Sequence, residues 1–163
     1  MTNTHYGVIY ARRHTKNDLY AGYNGEDLVR CFLRERNDRF MDIYYSKTHE
    51  WVKIDGDEAT VGISDFATGE LGDITYVELP EKDSDVIVGD SIGTVESVRA
   101  TSDVFSPISG TIIAVNHALD DDPGLINRSP KDHGWLCKLE NIDLVELKDL
   151  MDEDAYQKYL KTL

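Results

Sequence analysis

The segment Glu96-Ser97-Val98-Arg99-Ala100-Thr101-Ser102-Asp103 lies where two short strand-like stretches meet. The first stretch is Ser91–Val98 and the second is Thr101–Ser106, which ends just before a proline. This arrangement predicts a tight hairpin that holds the side chain of Arg99 away from a rigid body. An arginine on an exposed turn is by itself an ordinary solvated charge. The role of this position therefore has to be inferred from the rest of the chain.

Short strands are predicted on both sides of this hairpin. They are separated by turn signals such as Asp55-Gly56-Asp57, where Gly56 can supply a positive φ. A short helix is predicted over Phe66–Leu71, with Asp65 as its N-cap and Gly72 as its end. Short strands at this spacing favour a sandwich or a flattened barrel. The further predicted strands are Thr48–Ile54, Glu58–Ser64, Asp73–Leu79, Glu81–Val88, Thr111–Asn116 and Trp135–Leu139.

The C-terminal segment is predicted to be helical. Leu144, Leu147 and Met151 fall at the i, i+3 and i+7 positions of an apolar helix face. A second helix is predicted to begin at Asp152-Glu153-Asp154 and to end near Lys158, so its charges complement the helix dipole at both ends. We expect both segments to pack on the β body and to have a structural role.

The composition indicates a soluble, intracellular, acidic protein with a packed core. The net charge is −14, and 40% of the 163 residues are hydrophobic. Apolar runs such as Gly110–Val115 are too short to span a bilayer. An acidic surface repels nucleic acid and anionic membranes, so neither is an expected partner. The acids either solvate the surface or favour docking onto basic partners.

Residues 1–40 differ from the remainder of the chain. They contain seven Lys and Arg against five Asp and Glu, a net charge of +2, whereas the other 123 residues carry −16. Glu26–Phe40 can form a helix. Three interpretations remain open: an appended helix, a targeting peptide, or sequence upstream of a start at Met41. The acids weigh against a targeting peptide. We therefore divide the chain into an N-terminal extension, residues 1–40, and a domain over 41–163.

Cysteine, histidine and clustered aspartates provide no support for a disulfide, a metal site or a catalytic centre. Cys31 and Cys137 are far apart in a chain with no secretory signal, and Cys137 is predicted to be a small buried hydrophobic residue. The five histidines show no pair at metal-ligand spacing. The run Asp120-Asp121-Asp122 lacks the glycine and distal glutamate of a calcium loop, so we interpret it as a solvated helix end.

Several separated strings together resemble one known family. The chain contains, in this order, His49-Glu50-Trp51-Val52, Gly62-Ile63-Ser64-Asp65-Phe66-Ala67, Leu71-Gly72-Asp73-Ile74, the hairpin string that begins at Glu96, Pro107-Ile108-Ser109-Gly110, Asn127 and Gly134-Trp135-Leu136. This series resembles the H proteins of the glycine cleavage system over about residues 44–163.

The resemblance implies an all-β fold and a carrier function. The fold would be a lipoyl-domain-like barrel-sandwich hybrid, a flattened sandwich of two small antiparallel sheets with short C-terminal helices. The protein would not be an enzyme: family members carry lipoate on a hairpin lysine, and the lipoate takes the aminomethyl intermediate of glycine catabolism between partner enzymes. The implied partners are glycine decarboxylase, aminomethyltransferase, dihydrolipoyl dehydrogenase and a lipoate-attaching enzyme.

The resemblance also assigns roles to individual residues. Arg99 occupies the position of the lipoyl-lysine, and the neighbouring hairpin residues would be recognised during attachment. His49 could line a cleft that shelters the lipoate arm, meaning the lipoyl-lysine side chain of the family. A structural role on a strand face is an equal alternative. The neighbouring hairpin residues are Glu96, Ser97, Val98 and Ala100.

Arg99 departs from the family pattern in a chemically important way. Attachment of lipoate requires a neutral amine, which lysine supplies in small amounts near neutral pH because its reference pKa is about 10.4. Arginine stays protonated, because its reference pKa lies far above neutral pH, and is a poor nucleophile. The nearest lysines are Lys82 and Lys131, so none can substitute on the hairpin. We predict that the hairpin of this chain is not lipoylated.

Two functional hypotheses follow from the sequence. In the first, the chain is a glycine cleavage shuttle protein that Arg99 disables. In the second, it is a paralogue without lipoate that binds or regulates the partner enzymes or the lipoate ligase. We expect a bacterial-type cytoplasmic location, and the alternative is the mitochondrial matrix.

Overall fold

The computed structural model describes residues 43–163, and every structural statement below concerns those residues. They form nine strands, four short α-helices and one 3-10 helix. The strands are β1 (Ile43–Tyr45), β2 (Glu50–Asp55), β3 (Glu58–Ile63), β4 (Ile74–Glu78), β5 (Asp85–Val86), β6 (Ser91–Ser97), β7 (Thr101–Phe105), β8 (Gly110–Val115) and β9 (Cys137–Glu140). The helices are α1 (Asp65–Leu71), α2 (Ala118–Asp121), α3 (Leu125–Arg128), the 3-10 helix (Leu144–Asp149) and α4 (Glu153–Leu160).

The strands form two antiparallel sheets, which confirms the predicted flattened sandwich. The larger sheet has the order β1-β2-β3-β9-β8-β5, and the smaller one has the order β4-β6-β7. Three predicted strands differ in length: Thr48–Ile54 begins only at Glu50, Trp135–Leu139 begins only at Cys137, and Glu81–Val88 is much shorter than predicted. Of the predicted Glu81–Val88, only Asp85–Val86 forms a strand, paired with β8, while Asp83 and Ser84 make backbone hydrogen bonds to Ile112. This short edge strand leaves Ile87 and Val88 exposed at a loop tip.

The core lies between the two sheets and is built from aliphatic side chains that alternate along the strands. Val61, Val95 and Ile112 are at most 1% exposed. Cys137 is also fully buried, which confirms its predicted role as a small hydrophobic residue. Burial raises the pKa of the Cys137 thiol to about 12, so this thiol stays protonated and unreactive at neutral pH.

Helix α1 begins one residue earlier than predicted. Ser64, not Asp65, is the N-cap: its backbone is extended and its Oγ accepts a hydrogen bond from the Ala67 amide. Asp65 is the first helical residue, where its charge still suits the helix dipole. Gly72 ends the helix with a φ of 77°, as predicted, and its amide bonds to the Thr68 carbonyl. That φ strongly favours glycine.

The first C-terminal helix prediction was wrong in part. Leu144 and Leu147 are buried, but they lie on a 3-10 helix that ends at Asp149. Met151 is extended and pairs with Tyr45 of β1 through two backbone hydrogen bonds of 2.7 and 2.9 Å. Pairing with the sheet edge satisfies the same backbone groups that a longer helix would have used. The second predicted helix is confirmed as α4, with Asp152 as its N-cap.

Three aromatic side chains form a separate buried group, which we call the aromatic cluster: Tyr45, Trp51 and Tyr156. The rings of Tyr45 and Tyr156 stack with centroids 4.1 Å apart. Trp51 donates from Nε1 to the carbonyls of Ile63 and Pro130, both at 3.0 Å. The cluster therefore attaches α4 to the larger sheet.

Some predictions concern residues that lie outside the described part of the chain. These are the extension over residues 1–40, the helix at Glu26–Phe40 and the environment of Cys31. Across residues 43–163, no helix has the length and apolar character needed to cross a membrane.

Candidate functional site

The β6–β7 hairpin places Arg99 at the middle of a three-residue turn, Val98–Ala100. Glu96 pairs with Thr101 at the base of the hairpin. Ser97 organises the turn, because its amide bonds to the Ala100 carbonyl at 2.8 Å and its Oγ accepts from the amides of Arg99 and Ala100, both at 3.1 Å. The turn is therefore defined by its backbone and by Ser97. The side chain of residue 99 does not determine its shape.

The predicted hairpin residues are brought together at the surface. Glu96, Arg99 and Ala100 are exposed, and Val98 is 68% exposed. Tyr76 of β4 lies opposite Glu96 and is 53% exposed. The end of the smaller sheet therefore presents an apolar and an aromatic side chain beside a carboxylate.

Arg99 folds back onto the end of α1 instead of pointing directly into solvent. One guanidinium nitrogen donates to the carbonyls of Gly69 and Glu70 at 3.4 and 3.3 Å. A Cβ atom at Gly72 would lie 3.3 Å from Arg99 Nε, so the glycine leaves room for this side chain. A cation at the carbonyl end of a helix also interacts favourably with the helix dipole.

The turn is held from below by the connection between α1 and β4, which we call the 72–74 loop: Gly72, Asp73 and Ile74. The Val98 amide donates to the Asp73 carbonyl at 3.1 Å. On the other side of the loop, the Asn127 side chain donates to the Gly72 carbonyl at 2.8 Å and accepts from the Ile74 amide at 2.9 Å. The loop therefore connects the hairpin to α3.

His49 does not lie on a strand, contrary to one of its two predicted roles. The predicted strand Thr48–Ile54 begins only at Glu50, and His49 occupies a turn with a φ of 73°. Its ring lies 4.6 Å from the ring of Phe66 in α1, and its Nδ1 is 2.9 Å from the Tyr156 hydroxyl. Burial lowers the pKa of His49, partly opposed by Glu50 and Glu70.

Helix α1 connects the two regions that the sequence singled out. Phe66, near its start, contacts His49, and Gly69 and Glu70, near its end, contact Arg99. A helix of seven residues is about 10 Å long. Arg99 and His49 therefore lie at opposite ends of one short helix.

The buried carboxylate of Glu50 was not predicted. It is 2% exposed and accepts hydrogen bonds from the hydroxyls of Ser46 and Thr48 and, at 3.1 Å, from the Phe105 amide of β7. It therefore joins the larger sheet to the smaller one. A glutamate next to a tryptophan at the start of a predicted strand was the available signal, but its three partners are not visible in the sequence.

The remaining polar clusters show no ligand-binding arrangement. No group of three or more His, Cys, Asp or Glu side chains within residues 43–163 is placed to hold a metal ion. Asp120 and Asp121 end α2 and are exposed, in agreement with a solvated helix end. Asp122 forms an ion pair with Arg128, so its negative charge is balanced by a neighbouring side chain.

Comparison with known proteins identifies the body of the chain. The family described as Glycine cleavage H-protein matches residues 43–163. The glycine cleavage system H protein 2, mitochondrial, of Arabidopsis thaliana is 52% identical over 118 residues, which are 72% of this chain and 76% of the relative. The glycine cleavage system H protein of Thermotoga maritima is 50% identical over 115 residues, 71% of this chain and 93% of the relative.

A solved structure agrees with this assignment. The crystal structure of a glycine cleavage system H protein from Mycobacterium marinum aligns with a TM-score of 0.66 and 35% sequence identity, covering 76% of this chain and 99% of the other. Members of this family are lipoyl carrier components of the glycine cleavage system and are not themselves catalysts. The sheet order, the sequence matches and this structural match together show that the chain belongs to the glycine cleavage H-protein family.

Proposed function

We propose that this chain acts as an H-protein component of the glycine cleavage system whose hairpin carries no lipoate. The observation that carries the proposal is the guanidinium of Arg99 at the centre of the β6–β7 turn, in contact with the carbonyls of Gly69 and Glu70. The hairpin exposes the side chain at its tip, as attachment of lipoate would require. The exposed group is a guanidinium and not an amine.

The chemistry of the side chain supports this proposal. A guanidinium stays protonated and delocalised at neutral pH, so it has no free electron pair with which to attack an activated acyl group. The chain has no lysine between Lys82 and Lys131, and Lys131 is already paired with Asp65 and Glu153 at 3.7 and 3.9 Å. The residues present at the hairpin therefore do not fit covalent lipoate.

The intact body supports a binding role, which is the second candidate function. Glu96 and Val98 remain exposed beside the turn, and His49 lies at the far end of α1. We infer that these residues face the partner enzymes. The proposed partners are the decarboxylase, the aminomethyltransferase, dihydrolipoyl dehydrogenase and the lipoate-attaching enzyme. A chain without the arm would occupy their docking surfaces without transferring a group.

Intact mass measurement tests the proposal directly. The chain, its Arg99→Lys variant and a control Arg128→Lys variant are incubated with a lipoate ligase, lipoate and ATP. Arg128 is an exposed arginine on α3 that pairs with Asp122 and is not part of the turn. We expect the mass of one lipoyl group only on Arg99→Lys, because only that variant presents an amine at the turn.

The possible results separate the two candidate functions. Lipoylation of the unaltered chain would contradict the argument from Arg99. A lipoylated Arg99→Lys variant that supports glycine cleavage would identify a disabled carrier. Failure of all three chains to be modified, together with capture of the partner enzymes by the unaltered chain, would identify a binding module.

The compartment is also a proposal. We infer a cytoplasmic location of the bacterial type, with the mitochondrial matrix as the alternative that the Arabidopsis relative's name raises. Sequencing the N-terminus of the protein isolated from its source tests this, since loss of residues before about position 40 would favour an imported precursor.

A further inference from the structure

Asn127 makes two hydrogen bonds that imitate a strand partner. Its side-chain nitrogen donates to the Gly72 carbonyl at 2.8 Å, and its side-chain oxygen accepts from the Ile74 amide at 2.9 Å. A carboxamide has the same donor and acceptor as a peptide group. It therefore fixes the backbone on both sides of Asp73 without belonging to a sheet.

The support for Asn127 is rigid. Its neighbour Ile126 is fully buried. A Cβ atom at Gly134 would lie 2.8 Å from the Ile126 Cα and 2.7 Å from the Ser129 carbonyl oxygen, so α3 packs directly against the Gly134 backbone. Helix α3 is therefore anchored through its backbone and one core side chain, and Asn127 extends from it to the 72–74 loop.

The 72–74 loop passes this constraint to the hairpin. The Asp73 carbonyl, which lies between the two groups that Asn127 holds, accepts the Val98 amide at 3.1 Å. Gly72 also lies beneath the Arg99 side chain. A shift of the loop would therefore move Val98, the first residue of the turn. It would also move Gly72, against which the Arg99 side chain lies.

We propose that Asn127 is a positioning residue. By its hydrogen bonds to the 72–74 loop, it fixes the position and direction of the turn that carries residue 99. It acts through Asp73 and Val98 and touches no reacting group. This inference rests on the proposed function for the role of the turn in recognition, but the position of the turn can be measured independently of that role.

Asn116 provides a matched control. Its side-chain nitrogen donates to the carbonyls of His133 and Trp135, both at 2.8 Å, and it is 7% exposed. Asn116 is thus a second side-chain amide that binds backbone groups of a loop. That loop precedes β9 and is not the loop beneath the hairpin. Conversion to aspartate removes the donor in both cases and places a carboxylate against a carbonyl oxygen.

Amide hydrogen exchange is the first measurement, made by NMR on the full chain and on its Asn127→Asp, Asn127→Ala and Asn116→Asp variants. For both Asn127 variants we expect the Ile74 and Val98 amides to exchange about tenfold faster, because local opening of the loop becomes easier. Amides of β3 and β9 should keep their rates. Asn116→Asp should leave Val98 unchanged.

Lipoylation kinetics are the second measurement, made in the Arg99→Lys background with a lipoate ligase. If Asn127 keeps the turn in the position that the ligase recognises, substitution of Asn127 lowers the fraction of molecules that the ligase can bind. The measured KM then rises by the inverse of that fraction. We expect KM to rise about fivefold with kcat nearly retained. Asn116→Asp should change neither constant by more than about twofold.

The two measurements separate failure of this inference from failure of the proposed function. Unchanged Val98 exchange in folded Asn127→Asp and Asn127→Ala chains would overturn the positioning role, whatever the kinetics. Equal effects of Asn127→Asp and Asn116→Asp on Val98 would also overturn it, since the effect would then be general destabilisation. If the unaltered chain is lipoylated while exchange follows the expectation, the proposed function fails and the positioning role stands.

Discussion

The aromatic cluster and the β6–β7 hairpin are held in place by different interactions. Tyr45, Trp51 and Tyr156 are at most 2% exposed, and their stability comes from buried ring area together with the hydrogen bonds of Trp51 Nε1 and the Tyr156 hydroxyl. The hairpin turn is exposed and is held by backbone hydrogen bonds, by Ser97 and by the 72–74 loop. The first region therefore depends on the identity of its side chains, whereas the turn depends mainly on backbone geometry.

This difference explains how an arginine can occupy the tip of the hairpin without loss of the fold. No buried surface depends on residue 99, and the polar groups of the turn are satisfied by Ser97 and Asp73. Substitution in the aromatic cluster should therefore lower the free energy of unfolding, while substitution at residue 99 should alter only surface chemistry. Three predictions test this contrast.

The largest effect is expected for Trp51→Ala. It removes a fully buried ring that packs directly over Gly62, together with two hydrogen bonds of its Nε1. Large-to-small changes of this kind cost about 3–5 kcal/mol. Urea unfolding at pH 7 measures the loss. Arg99→Gln is the comparison from the hairpin and should change the free energy of unfolding by no more than about 0.5 kcal/mol. Similar losses in the two variants would contradict the contrast.

An intermediate effect is expected for Tyr156→Phe, which keeps the ring stacked on Tyr45 and removes only the hydroxyl. That hydroxyl lies 2.7 Å from Ser64 Oγ and 2.9 Å from His49 Nδ1. Loss of these buried hydrogen bonds should cost about 1–2 kcal/mol in the same unfolding measurement. Tyr159→Phe is the control, because the Tyr159 hydroxyl bonds only to the Lys47 carbonyl at an exposed site. The control should lose less than half as much.

The smallest effect concerns pH and His49. Burial lowers the pKa of His49 in the folded chain, so below about pH 6.5 the unfolded chain binds this proton more readily. The contribution of the neutral His49 ring to the free energy of unfolding is complete above that pH. It is lost as the pH falls toward the lower pKa that His49 has in the folded chain. His49→Gln should flatten the pH dependence of urea unfolding below about pH 6.5. An unchanged slope in the folded His49→Gln variant would contradict this assignment.

The sequence was sufficient for the fold because its local signals and the family strings agree. The turn at Gly56 and the end of α1 at Gly72 each follow from a local rule, and the structure has both. The hairpin around Arg99 was also predicted at the right place, because a strand-like stretch flanks it on each side.

The parts that were missed depend on contacts between distant residues. Ser64 and Tyr156 are 92 positions apart, yet their hydroxyls meet, and Met151 leaves a helical pattern because Tyr45 offers it backbone partners. Asn127 was visible only as a family match, since its partners in the 72–74 loop are more than fifty residues away. Local pattern cannot specify such pairs, whereas tertiary packing can override it.

The turn around residue 99 also makes this chain a convenient carrier for synthetic labels. Because Ser97 and the backbone define the turn, a thiol placed there by Arg99→Cys would be exposed, while the native Cys137 is buried with a raised pKa. In a Cys31→Ser background, maleimides of graded length could then be attached at one site. Such a series would act as a molecular ruler, measuring how far a group attached to the hairpin must reach before it contacts a protein bound to this chain.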